Sequence, residues 1–215
     1  MSGTTFRNSP ETTALIVVDV QNDFCDPAGV AGVGGSDTSD AVAMVPRLER
    51  LLEAARAAGV LVVFIQTTHD ETTDSPVWLS RRTVGPTPVG TPSSTSTCRT
   101  GSWGAEFYRV APSEGEPVVI KHRYSAFTGT NLDVVLRTAG VTSLLLTGVA
   151  TDVCVESTLR EGFFHEYHVS LVEDCCAGYH PESHAATVAA VGRYFGAVTT
   201  SDELATAWAP VRQSA

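Results

Sequence analysis

Six short apolar runs alternating with helical patterns predict a single three-layer α/β domain, an open parallel six-stranded sheet with helices on both faces. Three observations carry this. The runs are β-branched and nearly continuous in hydrophobicity, as strands buried on both faces must be. The segments between them repeat apolar residues at helical spacing, and two stop at a glycine. The two kinds of segment alternate at a regular rhythm, which right-handed crossovers convert into a doubly wound sheet.

Taken in order, the strand expectations are 14–20 (ALIVVDV), 60–66 (VLVVFIQ), 117–121 (PVVIK), 142–149 (TSLLLTGV), 168–174 (HVSLVED) and 196–200 (GAVTT). Each is bounded by Gly, Asp or Pro. Helices are expected over 41–58, which stops at Gly59, and over 132–139, which stops at Gly140. Further helices are expected over 153–162, 181–194 and 202–208. The segment 67–104 breaks the rhythm. It is rich in Thr, Ser, Pro and Gly with weak periodicity, and a loop of that length in a compact domain is expected to be a lid or a substrate wall. The domain is expected to run over 13–208, between a flexible N-terminus (1–12) and a C-terminal tail (209–215).

Fourteen Lys and Arg against 24 Asp and Glu give a net charge of −10. Phosphate backbones and anionic membranes need clustered positive charge, so neither nucleic acid nor membrane is an expected partner. No apolar run approaches the roughly 20 residues that span a bilayer, and the first ten residues lack the apolar stretch of a signal peptide. A cytoplasmic location is the expectation. Five cysteines, two of them adjacent and none in a CxxC spacing, argue against a disulfide framework or a structural zinc site.

Ligands of an open parallel sheet bind where loops leave the carboxyl ends of the strands. Three reactive side chains fall there: Asp19 after LIVV, Lys121 after VVI, and Cys154 in the TGVATDVC loop after SLLL. Cys154 opens a helix, where the positive end of the helix dipole favours thiolate and unpaired amides can hold an oxyanion. A free cysteine also packs as a small buried hydrophobe, and position alone does not choose between the two. Asp19 ends an apolar strand, as a general base or as a turn residue. Lys121 at the same edge would hold both the carboxylate and the thiolate in their charged forms. The joint reading is an Asp–Lys–Cys triad. His69 and Asp70 form a weaker pair without a second histidine at ligand spacing, and no metal or organic cofactor is expected. Cys175 and Cys176 read as core residues.

The segments VVDVQNDF (17–24), KHRYSAF (121–127) and TGVATDVCVESTLREGFF (147–164) resemble those of the isochorismatase-like cysteine hydrolases, in the same order along the chain. The likeness covers 13–208 and implies the Rossmann-like architecture of that group. It implies Asp19 as base and acid, Lys121 as the third triad member and Cys154 as nucleophile. It further implies a cis peptide at Val149–Ala150, an oxyanion hole from the amides of Ala150 and Cys154, and a homo-oligomer (dimer or tetramer). The cysteine favours C–N hydrolysis over vinyl-ether cleavage. The stretch TTHDETTD lacks the nicotinamidase metal pattern, while RYSAF, CVESTLREGFF and EYHVSLVED are similar to ureidoacrylate and related ureido or carbamoyl amidohydrolases. That branch tends to carry Asn and Trp where this chain has Thr67 and His69, and Asn where it has Asp152. Gln21, Thr67, His69 and Tyr124 are the expected contacts to a small amide or ureido substrate. The rival readings are a vinyl-ether hydrolase using Asp19 as acid, a nicotinamidase-like amidase, and a non-catalytic binding or scaffold protein.

Overall fold

A computed structural model describes residues 8–81 and 97–209. Parts of the expected N-terminal segment, C-terminal tail and 67–104 loop therefore lie outside the described residues. The chain begins with β1 (Thr13–Val18), two single-turn helices α1 (Asn22–Cys25) and α2 (Val30–Val33), and the long α3 (Ser39–Ala58). Next come β2 (Leu61–Thr67), the short α4 (Pro76–Ser80), β3 (Val118–Lys121) and α5 (Leu132–Thr138). The second half runs β4 (Ser143–Val149), α6 (Glu156–Phe164), β5 (His168–Ala177), α7 (Pro181–Tyr194), β6 (Ala197–Thr199) and α8 (Ser201–Trp208). The sheet order is β3-β2-β1-β4-β5-β6, and every pairing is parallel.

The period of two along each strand divides the core. Leu15 and Val17 of β1 face one side with Phe64, Leu145 and the α3 residues Met44, Leu48, Leu51 and Leu52. Ala14, Ile16 and Val18 face the other, with Leu144, Leu146, Leu132 and Leu136 of α5, Leu159 of α6 and Val191 of α7. Every residue of β1 is buried, as a central strand covered on both faces requires. Helix α3 stops where expected. Gly59 takes a left-handed backbone (φ 77°) and its amide donates back to the Ala55 and Arg56 carbonyls.

Three boundaries differ from the sequence expectation in ways that matter for the site. The first strand ends at Val18 rather than Val20, because Asp19 adopts a left-handed backbone (φ 52°) that turns the chain out of the sheet. The fourth strand leads into a π turn over Thr151–Val155 before α6 begins, so Cys154 sits one turn ahead of the regular helix. The 67–104 segment is not wholly irregular: β2 runs into Thr67, α4 forms after Ser75, whose hydroxyl accepts from the Trp78 amide, and His69 pairs with Arg99 in a parallel bridge.

Candidate active site

The carboxyl ends of β1, β2, β3 and β4 bring four side chains together. Register sets the alignment: Val18 pairs with Ile65 on one side and Gly148 on the other, and Thr67 pairs with Lys121. Gly148 has φ +111°, and a Cβ there would lie 2.0 Å from the Val18 carbonyl oxygen, so β4 approaches β1 closely only because this residue is glycine. The next peptide, Val149–Ala150, is cis, as the resemblance implied.

Lys121 is the hub. Its ammonium lies 2.7 Å from Asp19 Oδ2, donates to Cys154 Sγ at 3.4 Å and donates to the Arg123 carbonyl at 3.0 Å. Asp19 and Lys121 are 0% and 1% exposed and Cys154 is 8% exposed. A lone charge so deeply placed would be costly, and the pair offsets that cost by mutual attraction. Burial alone would pull the Lys121 ammonium down, but Asp19 and Cys154 together hold it above its ordinary value. Its partners thus favour the charged form of the lysine.

Cys154 departs from the expectation of a dipole-stabilised thiolate. Burial pushes its thiol up to about 12; Lys121 pulls it down, and neighbouring Asp19 pushes it up again. Burial is the largest influence on the sulfur, and it favours the neutral thiol. The thiol thus lies beside the Lys121 ammonium, which itself contacts the Asp19 carboxylate. Cys25, Cys175 and Cys176 are buried as well, and burial is the largest influence pushing each thiol up.

The four residues expected to touch substrate are placed differently from one another. Gln21 is 0% exposed and its carboxamide is taken up by protein. Its Nε2 donates to the Thr67 carbonyl at 2.9 Å and the Ala105 carbonyl at 2.8 Å, and its Oε1 accepts from the Thr67 amide at 2.8 Å. Its side chain thus ties the turn after β1 to β2 and to the returning 97–105 segment. The Thr67 hydroxyl also points inward, donating to Asp19 Oδ1 at 2.9 Å. His69 is 3% exposed and its ring centre lies 5.1 Å from that of Trp78. Burial pushes it down to about 4, against the opposing pull of Asp74, so the ring is neutral near pH 7. Its Nδ1 lies 4.0 Å from Asp74 Oδ1. Tyr124 is half-buried, 5.0 Å from the Trp78 ring centre, and its hydroxyl accepts from Arg81 Nε at 2.9 Å. The Arg81 guanidinium stacks 3.5 Å above Trp78. His69, Trp78, Tyr124 and Arg81 thus form one aromatic and cationic wall.

Asp70 does not join His69 as a ligand pair. Its carboxylate accepts from Thr72, Thr73 and Thr100, closing a turn. Among the described residues, no group of three or more His, Cys, Asp and Glu is arranged to hold a metal ion. The Thr67–Asp19 and Gln21–Thr67 bonds are the features sequence reasoning missed. They join residues 48 and 46 positions apart, and no local pattern announces them.

Comparison with known proteins agrees with this geometry. The chain is 39% identical over 198 residues to the ureidoacrylate amidohydrolase RutB of Methylobacterium radiotolerans, covering 88% of this chain and 77% of that one. It is 36% identical over 209 residues to the ureidoacrylate amidohydrolase RutB of Azorhizobium caulinodans, covering 94% and 92%. Among solved structures, a cysteine hydrolase from Pseudomonas syringae pv. phaseolicola superposes with a TM-score of 0.79 at 28% identity, covering 93% of each chain. The model of the isochorismatase domain matches residues 13–203, from the first residue of β1 into α8. With the parallel sheet, the cis peptide and the buried Asp–Lys–Cys cluster at its strand ends, this chain belongs to the isochorismatase family of hydrolases.

Proposed function

We propose that this chain is a cysteine amidohydrolase that cleaves the C–N bond of a small ureido, carbamoyl or amide substrate through a thioester on Cys154. The observation that carries the reading is the buried Lys121 ammonium, 2.7 Å from Asp19 and 3.4 Å from Cys154. A vinyl-ether hydrolase has no use for a thiol held at that point.

Asp19 takes the thiol proton as Sγ attacks the carbonyl carbon, and the amides of Ala150 and Cys154 receive the oxyanion. Collapse of the tetrahedral species breaks the C–N bond. Asp19 returns its proton to the leaving nitrogen, which departs as ammonia or an amine. Water then adds to the thioester, Asp19 takes its proton, and the acid is released with the thiol restored. Throughout, Lys121 stays charged and opposes the negative charge that moves from carboxylate to sulfur. The neutral His69 and the Trp78–Tyr124–Arg81 wall would line the substrate. A ureido substrate is the first choice because the two curated relatives named above are ureidoacrylate amidohydrolases.

The test is a screen of ammonia release over ureidoacrylate, biuret, N-carbamoyl amines, nicotinamide and maleamate, run beside Cys154→Ala and Cys154→Ser. Turnover of a ureido or carbamoyl member, lost in both variants, is the expected result. Mass spectrometry of the working enzyme should show an acyl adduct on Cys154. Full activity in Cys154→Ala would overturn the mechanism.

A further inference from the structure

We propose that Thr67 is a positioning residue for the general base Asp19, and that Gln21 holds it in place; this rests on the reading of Asp19 as base given above. The likeness to ureido amidohydrolases pointed to both residues as substrate contacts. Their geometry points the other way. The Thr67 hydroxyl donates to Asp19 Oδ1 at 2.9 Å while the Lys121 ammonium sits 2.7 Å from Oδ2. Each carboxylate oxygen thus has its own partner, on a different strand, and the carboxylate plane cannot turn without losing one of them.

The support behind Thr67 is equally specific. Its amide donates to Gln21 Oε1 at 2.8 Å and its carbonyl accepts from Gln21 Nε2 at 2.9 Å. Gln21 lies two residues after Asp19, and the Gln21 amide donates to the Asp19 carbonyl at 2.8 Å. The bonds form a closed circuit: Asp19 backbone to Gln21, Gln21 side chain to Thr67 backbone, Thr67 side chain to Asp19 carboxylate. All three residues are at most 5% exposed, so water does not replace any of these bonds cheaply. Such a circuit suits a residue whose backbone is itself in the left-handed region, since the side chain of Asp19 leaves the sheet from a turn rather than from a strand.

The chemical consequence is orientation. A base that must meet a thiol proton at one angle and a leaving nitrogen at another depends on a fixed carboxylate, and small misplacements are costly in rate. The titratable groups that bear on Asp19 are Lys121 on β3, Cys154 in the π turn, Cys98 on the returning segment and Cys25 on α1. Thr67 adds a neutral donor to that set.

The experiment compares the full-length enzyme with Thr67→Val and Thr67→Ser on the best substrate of the screen. Val keeps the shape and removes the donor; Ser keeps the donor. The expected result is a kcat about 10- to 100-fold lower in Thr67→Val, with KM little changed. Thr67→Ser should recover most of the rate. A raised KM with kcat unchanged would make Thr67 a substrate contact and overturn the proposal. So would wild-type kinetics in Thr67→Val. If that variant lacks the wild-type circular dichroism spectrum, Thr67→Cys, a weak donor of nearly serine size, is judged by the same criteria. Failure of the underlying reading shows separately: it appears as activity surviving in Cys154→Ala, whatever Thr67→Val does.

Discussion

Replacing Lys121 with Met tests the buried hub most directly. The side chain keeps its length and apolar stem but loses the charge 2.7 Å from Asp19 Oδ2. At an effective dielectric of about 20, two unit charges at that distance attract by about 6 kcal/mol. Much of that offsets the desolvation of two completely buried groups. What the substitution removes is the compensation, leaving a carboxylate at 0% exposure with the Thr67 hydroxyl as its strongest remaining donor. Breaking one side of such a pair costs about 3–5 kcal/mol. For a domain of this size that is a fall of about 6–20 °C in Tm. Catalysis should fall at least about a thousandfold, because Lys121 is the group that draws the Cys154 thiol toward ionisation. Calorimetry and urea denaturation report the first quantity, ammonia release the second. The double variant Asp19→Asn/Lys121→Met, which removes both charges, should regain most of the stability and none of the activity. A Lys121→Met variant that unfolds within about 1 kcal/mol of the parent, the worth of an exposed pair, would refute the buried-pair account. That account also fails if the double variant is no more stable than the single one.

Three other outcomes follow from features away from that pair. His69 is held neutral at about 4, whereas an unfolded chain protonates histidine near 6.5, so its stabilising contribution is complete above about pH 6.5 and is lost as pH falls toward 4. No more than roughly 3 kcal/mol is involved; urea denaturation from pH 7 to pH 4 should show a shallower loss in His69→Gln than in the parent. Gly148→Ala places a Cβ 2.0 Å from the Val18 carbonyl oxygen in a left-handed backbone, and calorimetry should show at least about 4 kcal/mol lost, with an equally damaged active site. Iodoacetamide at pH 7 should label Cys154 more slowly than an ordinary surface thiol, because the resting thiol is protonated and 8% exposed; peptide mapping that finds it fast would contradict the neutral ground state.

The fold was legible because parallel strands buried on both faces write themselves as unbroken apolar runs, and all six appear within a few residues of their expected positions. Helices of four or five residues, such as Asn22–Cys25 and Pro76–Ser80, are shorter than the window in which a 3.6-residue period can be seen. Asp19, Lys121 and Cys154 could be picked out because a reactive residue at a strand end is conspicuous against its apolar neighbours. The state of Cys154 could not. A helix terminus is visible in sequence, whereas the packing that desolvates the sulfur depends on residues from several strands and helices. The bonds between Gln21 and Thr67 were illegible for the same reason: polar residues at a strand end look alike whether they face a cavity or each other.

The position of β3 carries one more consequence. Lys121 is the last residue of a strand that, among the described residues, pairs with β2 alone, through Phe64↔Val118 to Thr67↔Lys121, while Val118 and Ile120 are partly exposed. Asp19 and Cys154, by contrast, hang from the two innermost strands. Lys121 is thus fastened to one edge of the sheet, and peripheral elements open at lower free energy than the centre. In mild denaturant, the β3 amides should exchange before those of β1 and β4, and catalysis should fade with them while the rest of the sheet is still intact. Activity would then be lost with one four-residue strand rather than with the domain as a whole.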